Sequence, residues 1–298
     1  MWADFFLADN LWIMLVGSLV GACGAILGSF LLLRKMTMIG DAISHAVLPG
    51  IVLAYLVVGN RASIGMLLGA AIFGILTTVL IELLSKRARL QEDAAIGISF
   101  TWMFAIGVIL ISVFAGQIDL DQDCVLYGEI AYVPFDTLSL ANGLVVIPRN
   151  ILILIALLIA IVAFVFFAYK PLVLTSFDPV FAAATGISVA FWHYALMSLV
   201  SLTTVLSFES VGAILVIAFL VGPAATAYLL TENLPRMLMI AVFLSIVAAI
   251  FGNILATLIN GNISGSMAVC IGIQFVIVLI YTRIFDRRRM KGKLNAIH

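Results

Sequence analysis

An aspartate and a histidine stand four residues apart, Asp41 and His45, inside the otherwise apolar run MTMIGDAISHAVLPGIVLAYLVV at 36–58. Residues spaced i and i+4 share one face of a helix, so the carboxylate and the imidazole point the same way. Such a pair suits manganese, zinc or ferrous iron. Two groups do not complete a coordination sphere, so a second copy of the chain or other helices must supply the remaining ligands. The plain alternative is a structural Asp–His hydrogen bond that ties two helices together. Pro49 follows His45 by four positions and has no N–H, so the His45 carbonyl loses its helix partner. The spacing predicts a bent helix with a free acceptor beside the pair, bracketed by Gly40 and Gly50. Bent or unwound helices near a bilayer midplane are common places for ion sites.

The elements that must position this pair are set by composition. The chain has 298 residues, of which 64% are hydrophobic and 10% charged, with a mean hydropathy of +1.27. Soluble domains run at about 45–50% apolar and about 25% charged, so this is an all-α bundle that spans a membrane many times. A helix crosses the hydrocarbon with about 20 apolar residues. Nine stretches qualify, about 11–33, 37–58, 62–84, 94–115, 150–169, 188–206, 210–230, 237–258 and 266–285. Trp192, His193 and several hydroxyl residues dilute 188–206, and a short link joins it to 210–230. That pair could be partly re-entrant, which would leave eight full spans. The whole chain, 1–298, reads as one transmembrane domain. Net charge is zero, so a nucleic-acid partner is not indicated.

Lys and Arg placement orients the spans. With the N-terminus outside, thirteen of the fifteen basic residues fall on the cytoplasmic side and only Arg61 and Arg149 lie outside. The acidic start, MWADFFLADN, has no positive n-region and is not read as a cleavable signal peptide. The outer segment 116–149 carries Asp119, Asp121, Asp123, Glu129 and Asp136. It lacks the glycine and distal glutamate of a calcium loop and reads as a solvated acidic loop that could attract cations or dock a partner. Inner segments lie at about 170–187 and 231–236, and a basic tail at 286–298.

Other polar positions carry weaker signals. Glu209 stands at the outer edge of its span and could gate the outer mouth, or sit in the headgroup region. Gly222 and Pro223 are expected to break the next helix near its inner end. Thr231, Glu232, Asn233, Leu234, Pro235 and Arg236 then form a polar cytoplasmic turn. In the segment 175–186, Ser176 or Asp178 could cap a short helix. Either inner segment could be a lever pushed by a soluble ATPase. His193 reads as a packing histidine, and Glu82 as a carboxylate that can snorkel to the inner surface. Gly17, Gly21, Gly24 and Gly28 form a small-residue ladder for close helix packing. Cys23, Cys124 and Cys270 have no CxxC spacing and read as buried small residues rather than a thiolate site.

The chain has no GxxxxGK[ST], HExxH or GxSxG, so it does not cradle ATP phosphates itself and shows no protease or hydrolase signature. A membrane-embedded hydrolase would need a nucleophile near the Asp–His pair, and only Ser44 and Ser29 are close in sequence. An ion-coupled secondary transporter would need no ATPase and is the main alternative.

The segments GDAISHAVLPGIVLAYLV (40–57) and GAILVIAFLVGPAATAYLLT (212–231) resemble the best-marked segments of the manganese, zinc and iron-chelate permeases of ABC importers, and so does FDPVFAAATGI at 177–187. The likeness extends over nearly the whole chain. It implies a fold like that of the vitamin B12 and siderophore importers. It also implies two permease chains, identical or paralogous, on two ATPase subunits, served by an extracytoplasmic metal-binding protein in a bacterial cytoplasmic membrane. No cofactor is held permanently, and the divalent metal is cargo. The resemblance maps an intramembrane metal site onto Asp41 and His45. It puts the ATPase contact near Thr231–Arg236, with 175–186, including Asp178, as the second candidate.

Overall fold

The computed structural model describes residues 8–58, 64–114, 130–135, 137–140 and 145–295. Among these, nine helices are long and apolar enough to cross a membrane. They are α1 (Ala8–Leu33), the joined pair α2 (Ile39–Ala46) and α3 (Leu48–Val58), α4 (Ile64–Arg87), α5 (Glu92–Phe114), α6 (Arg149–Phe167), α9 (Val189–Val211), α10 (Ala213–Leu230), α11 (Leu234–Ile259) and α12 (Ile263–Asn295). Two short helices, α7 (Tyr169–Phe177) and α8 (Pro179–Ala184), lie between α6 and α9. The described part of the segment before α6 holds a 3-10 turn, Ile130–Phe135, and a hairpin of β1 (Thr137–Leu140) and β2 (Val145–Pro148). The strands run antiparallel, with Thr137 opposite Pro148 and Leu140 opposite Val145. All five acidic positions named in that segment, and Cys124, lie outside the described residues.

The diluted stretch at 188–206 is a complete helix of 23 residues. Both members of the pair that could have been re-entrant, 189–208 and 213–230, are long enough to cross. Gly212 alone separates them, at φ 78° and ψ 165°, a backbone region open essentially to glycine. Helix ends elsewhere follow from local chemistry. Ser188 accepts the Phe191 N–H at the start of α9, and Asn260 closes α11 in the left-handed conformation at φ 51°, as a short polar side chain tolerates.

α1 is the most buried span. It packs against α10 and α11, and α12 closes that group. The glycine ladder faces these partners: a Cβ at Gly17 would meet Met267 and Ala249, one at Gly21 Phe219 and Ser245, one at Gly24 the Phe219 backbone, and one at Gly28 the Leu220 backbone. Lipid gives helices no hydrophobic drive to associate, so such close approach is what holds them. A second group, α2 to α5 with α9, packs beside the first. Several of its buried hydroxyls bond within their own helices: Thr77 donates to Phe73 O at 2.8 Å, Thr78 to Gly74 O at 3.1 Å and Ser99 to Ala95 O at 2.7 Å, whereas Ser201 and Ser207 of α9 have no partner among the described residues. Without water, an unpaired hydroxyl would be costly there.

The expected break at Gly222–Pro223 does not occur. α10 runs unbroken from Ala213 to Leu230 with Pro223 inside it. Proline leaves the Phe219 carbonyl without a helix donor, but that carbonyl lies against Gly24 of α1. Thr226 Oγ1 bonds Gly222 O at 2.8 Å. Clamping by α1, α11 and α12 holds the helix through the proline.

Candidate metal centre

Asp41 and His45 lie in α2, an eight-residue helix that opens directly after the turn closing α1. The helical run is interrupted at Val47, just before Pro49, with φ −73° and ψ −22°. The backbone stays right-handed there, and Val47 N–H still bonds Ile43 O, so the segment continues without unwinding. Gly40 and Gly50 have distinct roles in holding it. A Cβ at Gly40 would stand 2.9 Å from Leu220 Cδ2, and Gly50 lies against the backbone of Gly69 in α4. Both glycines thus bring α2 and α3 against neighbours that a side chain would push away.

His45 Nε2 and Asp41 Oδ1 are 3.4 Å apart, with the two side chains 32% and 34% exposed. Two atoms each about 2.1 Å from one metal stand roughly 3.0–3.5 Å apart between octahedral and tetrahedral angles, so the pair has the reach of two ligands on one ion. The imidazole packs against Phe100 and Phe104 of α5, ring centroids 6.0 and 5.9 Å away. These rings fix its plane while leaving its edge open. Nothing in the sequence singled them out, since two phenylalanines in an apolar span look like lipid-facing residues. Among the described residues, no set of three or more His, Cys, Asp or Glu side chains comes together. The described chain therefore brings two such groups together and no third.

The hydroxyls near the pair are committed elsewhere. Ser44 donates to Gly40 O at 2.9 Å and Ser29 to Ala25 O at 2.7 Å, and both are buried. Neither is bonded to His45, so the nucleophile–base contact of a hydrolase is not built here.

The remaining sequence candidates scatter. The backbone of Glu209 belongs to the last turn of α9, and its side chain lies outside the described residues. The turn after α10 is closed by Asn233 N–H donating to Thr231 Oγ1 at 3.2 Å. Leu234 is buried there, and Glu232, Asn233, Pro235 and Arg236 are exposed. Asp178 caps α8, its Oδ1 accepting the Phe181 N–H at 2.9 Å, with Pro179 in the first turn. Around it Val180, Phe177 and Phe181 are 79%, 61% and 53% exposed. Glu82 pairs with Lys86, and His193 stacks edge-on against Tyr194.

One contact was invisible in the sequence. Arg34, just past the end of α1, donates from Nε to Ser176 Oγ and from Nη2 to Thr175 Oγ1, both at 3.0 Å. Burial draws its pKa down to about 10, so the guanidinium remains charged at neutral pH.

Comparison with known proteins gives this arrangement a family. The chain is 44% identical to the manganese transport system membrane protein MntD of Bacillus subtilis over 271 residues, 91% of each chain. It is 40% identical to the zinc transport system membrane protein TroD of Treponema pallidum, covering 91% of this chain and 73% of that one. Among solved structures it superposes on PsaBC from Streptococcus pneumoniae in complex with Fab, with a TM-score of 0.77, 30% identity and coverage of 93% and 95%. Residues 9–282 match the ABC 3 transport family, and with relatives of this identity and coverage the chain belongs to that family of metal-transporting membrane permeases.

Proposed function

We propose that this chain is the permease subunit of an ATP-driven importer of a divalent transition metal: manganese, zinc or iron. The observation that carries the reading is the pair of Asp41 and His45. A carboxylate and an imidazole inside a bilayer are costly, are set at coordinating distance, and have no third ligand from the described chain. A second permease, identical or paralogous, completes the site with its own pair, so four ligands hold the ion between the two chains. Relatives named for manganese and zinc transport support the cargo class.

The metal arrives from an extracytoplasmic binding protein that docks on the outer loops, including the acidic 116–149 segment. The N-terminus lies outside and the C-terminus in the cytoplasm of a bacterial membrane, a placement the distribution of Lys and Arg supports. A separate ATPase binds the cytoplasmic face. Between the two inner segments, α8 is the better dock. Its Val180 and Phe181, with Phe177 at the end of α7, are exposed apolar side chains outside the spans, whereas the 231–236 turn exposes polar residues and a proline and buries its leucine. ATP binding and hydrolysis alternate the access of the site, and metal binding must be loose enough to release the ion inward.

The test is metal uptake by cells carrying Asp41→Ala or His45→Ala, with permease abundance measured in the same membranes. Loss of uptake at normal abundance supports the site. Undiminished uptake removes it.

A further inference from the structure

The Arg34 contact joins two parts of the molecule that the proposed function keeps separate. Its guanidinium bridges the turn before α2 to the last turn of α7, the helix that leads into α8. The acceptors are fixed in polarity. Thr175 Oγ1 donates its proton to Pro171 O at 2.8 Å and Ser176 Oγ to Leu172 O at 2.6 Å. Each hydroxyl therefore has lone pairs left for the guanidinium and no proton competing for it. Among the described residues no carboxylate pairs with Arg34. The charge is held by this two-hydroxyl seat.

Both sides of the bridge are stiff. The turn after α1 is closed by Arg34 N–H to Phe30 O at 3.1 Å, Lys35 N–H to Leu32 O at 3.0 Å and Met36 N–H to Leu31 O at 2.9 Å, with Lys35 left-handed at φ 61°. Ile39 N–H bonds Met36 O at 3.2 Å, which starts α2 with no slack. On the other side Asp178 N–H bonds Leu174 O at 2.9 Å, so α7 passes into the cap of α8 without a loop.

We propose that Arg34 is a positioning residue that carries movement of the α7–α8 segment to α2, and so to Asp41 and His45. A planar fork on two oxygens resists rotation as well as separation, which a single hydrogen bond does not. This inference rests on the function proposed above, in which α8 receives the ATPase and α2 holds the metal.

The experiment uses the complete importer, permease with its ATPase, in proteoliposomes. The probe is manganese or zinc, whichever the wild-type complex accumulates. Metal binding, ATP hydrolysis and uptake are read from one preparation. For Arg34→Gln, uptake per ATP hydrolysed falls about tenfold or more, while metal affinity stays within about twofold of wild type. The pair Thr175→Val with Ser176→Ala, which leaves the arginine in place, gives the same uncoupling. Arg34→Lys keeps the charge without the fork and rescues less than about a third of the loss. Combining Arg34→Gln with the hydroxyl pair adds nothing further, because all remove one interaction. Coupling within about twofold of wild type in the hydroxyl-pair variant, or strictly additive losses, overturns the inference. If Asp41→Ala abolishes uptake and the hydroxyl pair does not, the inference alone fails. If Asp41→Ala transports normally, the proposed metal site fails with it.

Discussion

Gly28 of α1 lies directly under the backbone carbonyl of Leu220 in α10. A Cβ at position 28 would stand 2.7 Å from the carbonyl carbon and nearer still to its oxygen. The side chain of the same leucine reaches Gly40, where a Cβ would be 2.9 Å from Cδ2. One residue of α10 thus sets the position of α1 and of the start of α2, immediately before Asp41.

Gly28→Ala is therefore expected to be among the most damaging single-methyl changes in the molecule. Backbone cannot step aside as a flexible side chain can, so the cost is about 3 kcal/mol or more. Gly24→Ala meets the Phe219 backbone at 3.2 Å and costs about 1 kcal/mol. Thermal melting of the two variants in detergent checks the order.

At the metal pair, Asp41→Asn keeps the shape and removes the charge. Uptake is expected to fall on the order of 100-fold, with abundance and melting temperature unchanged, because the carboxylate is one-third exposed and supports no buried network. His45→Gln is expected to behave alike. Metal accumulation measured against permease abundance tests both.

The exposed apolar cluster on α8 leads to a binding prediction. Val180→Asp or Phe181→Asp is expected to cut the ATPase that copurifies with the permease by about tenfold or more. Glu232→Ala and Arg236→Ala in the other inner turn leave recovery within about twofold. Equal losses at both segments would place the dock across the two.

Gly212 holds a conformation that other residues reach only with strain. Gly212→Ala is expected to destabilise the α9–α10 junction by about 1–3 kcal/mol, read as a lowered melting temperature. The neighbouring Ala213→Gly, in ordinary helix, costs about 1 kcal/mol or less.

Much of this architecture was legible from the chain. The spans were readable because a bilayer demands about 20 apolar residues per helix, and that demand leaves an unmistakable composition. The diluted 188–206 stretch is a full helix in which Thr203 and Thr204 bond back to the carbonyls of Leu199 and Ser201, at 2.7 and 2.9 Å. The Asp41–His45 spacing fixed a shared face, since helical periodicity is local. Pro223 misled because a proline's effect depends on what surrounds it, and α1 supplies close packing around the carbonyl that the proline leaves free.

Sequence alone determined that the chain crosses a membrane, where most of the crossings lie, and that a carboxylate and an imidazole share one helix face within the 37–58 stretch. These follow from hydropathy and from contacts within a few residues. Tertiary structure decided that Phe100 and Phe104 frame the imidazole, that Leu220 spaces α1 from α2, and that Arg34 reaches Thr175 and Ser176. The partners of Arg34 lie 141 and 142 positions along the chain, and no local pattern encodes a meeting that only the packing of distant helices brings about.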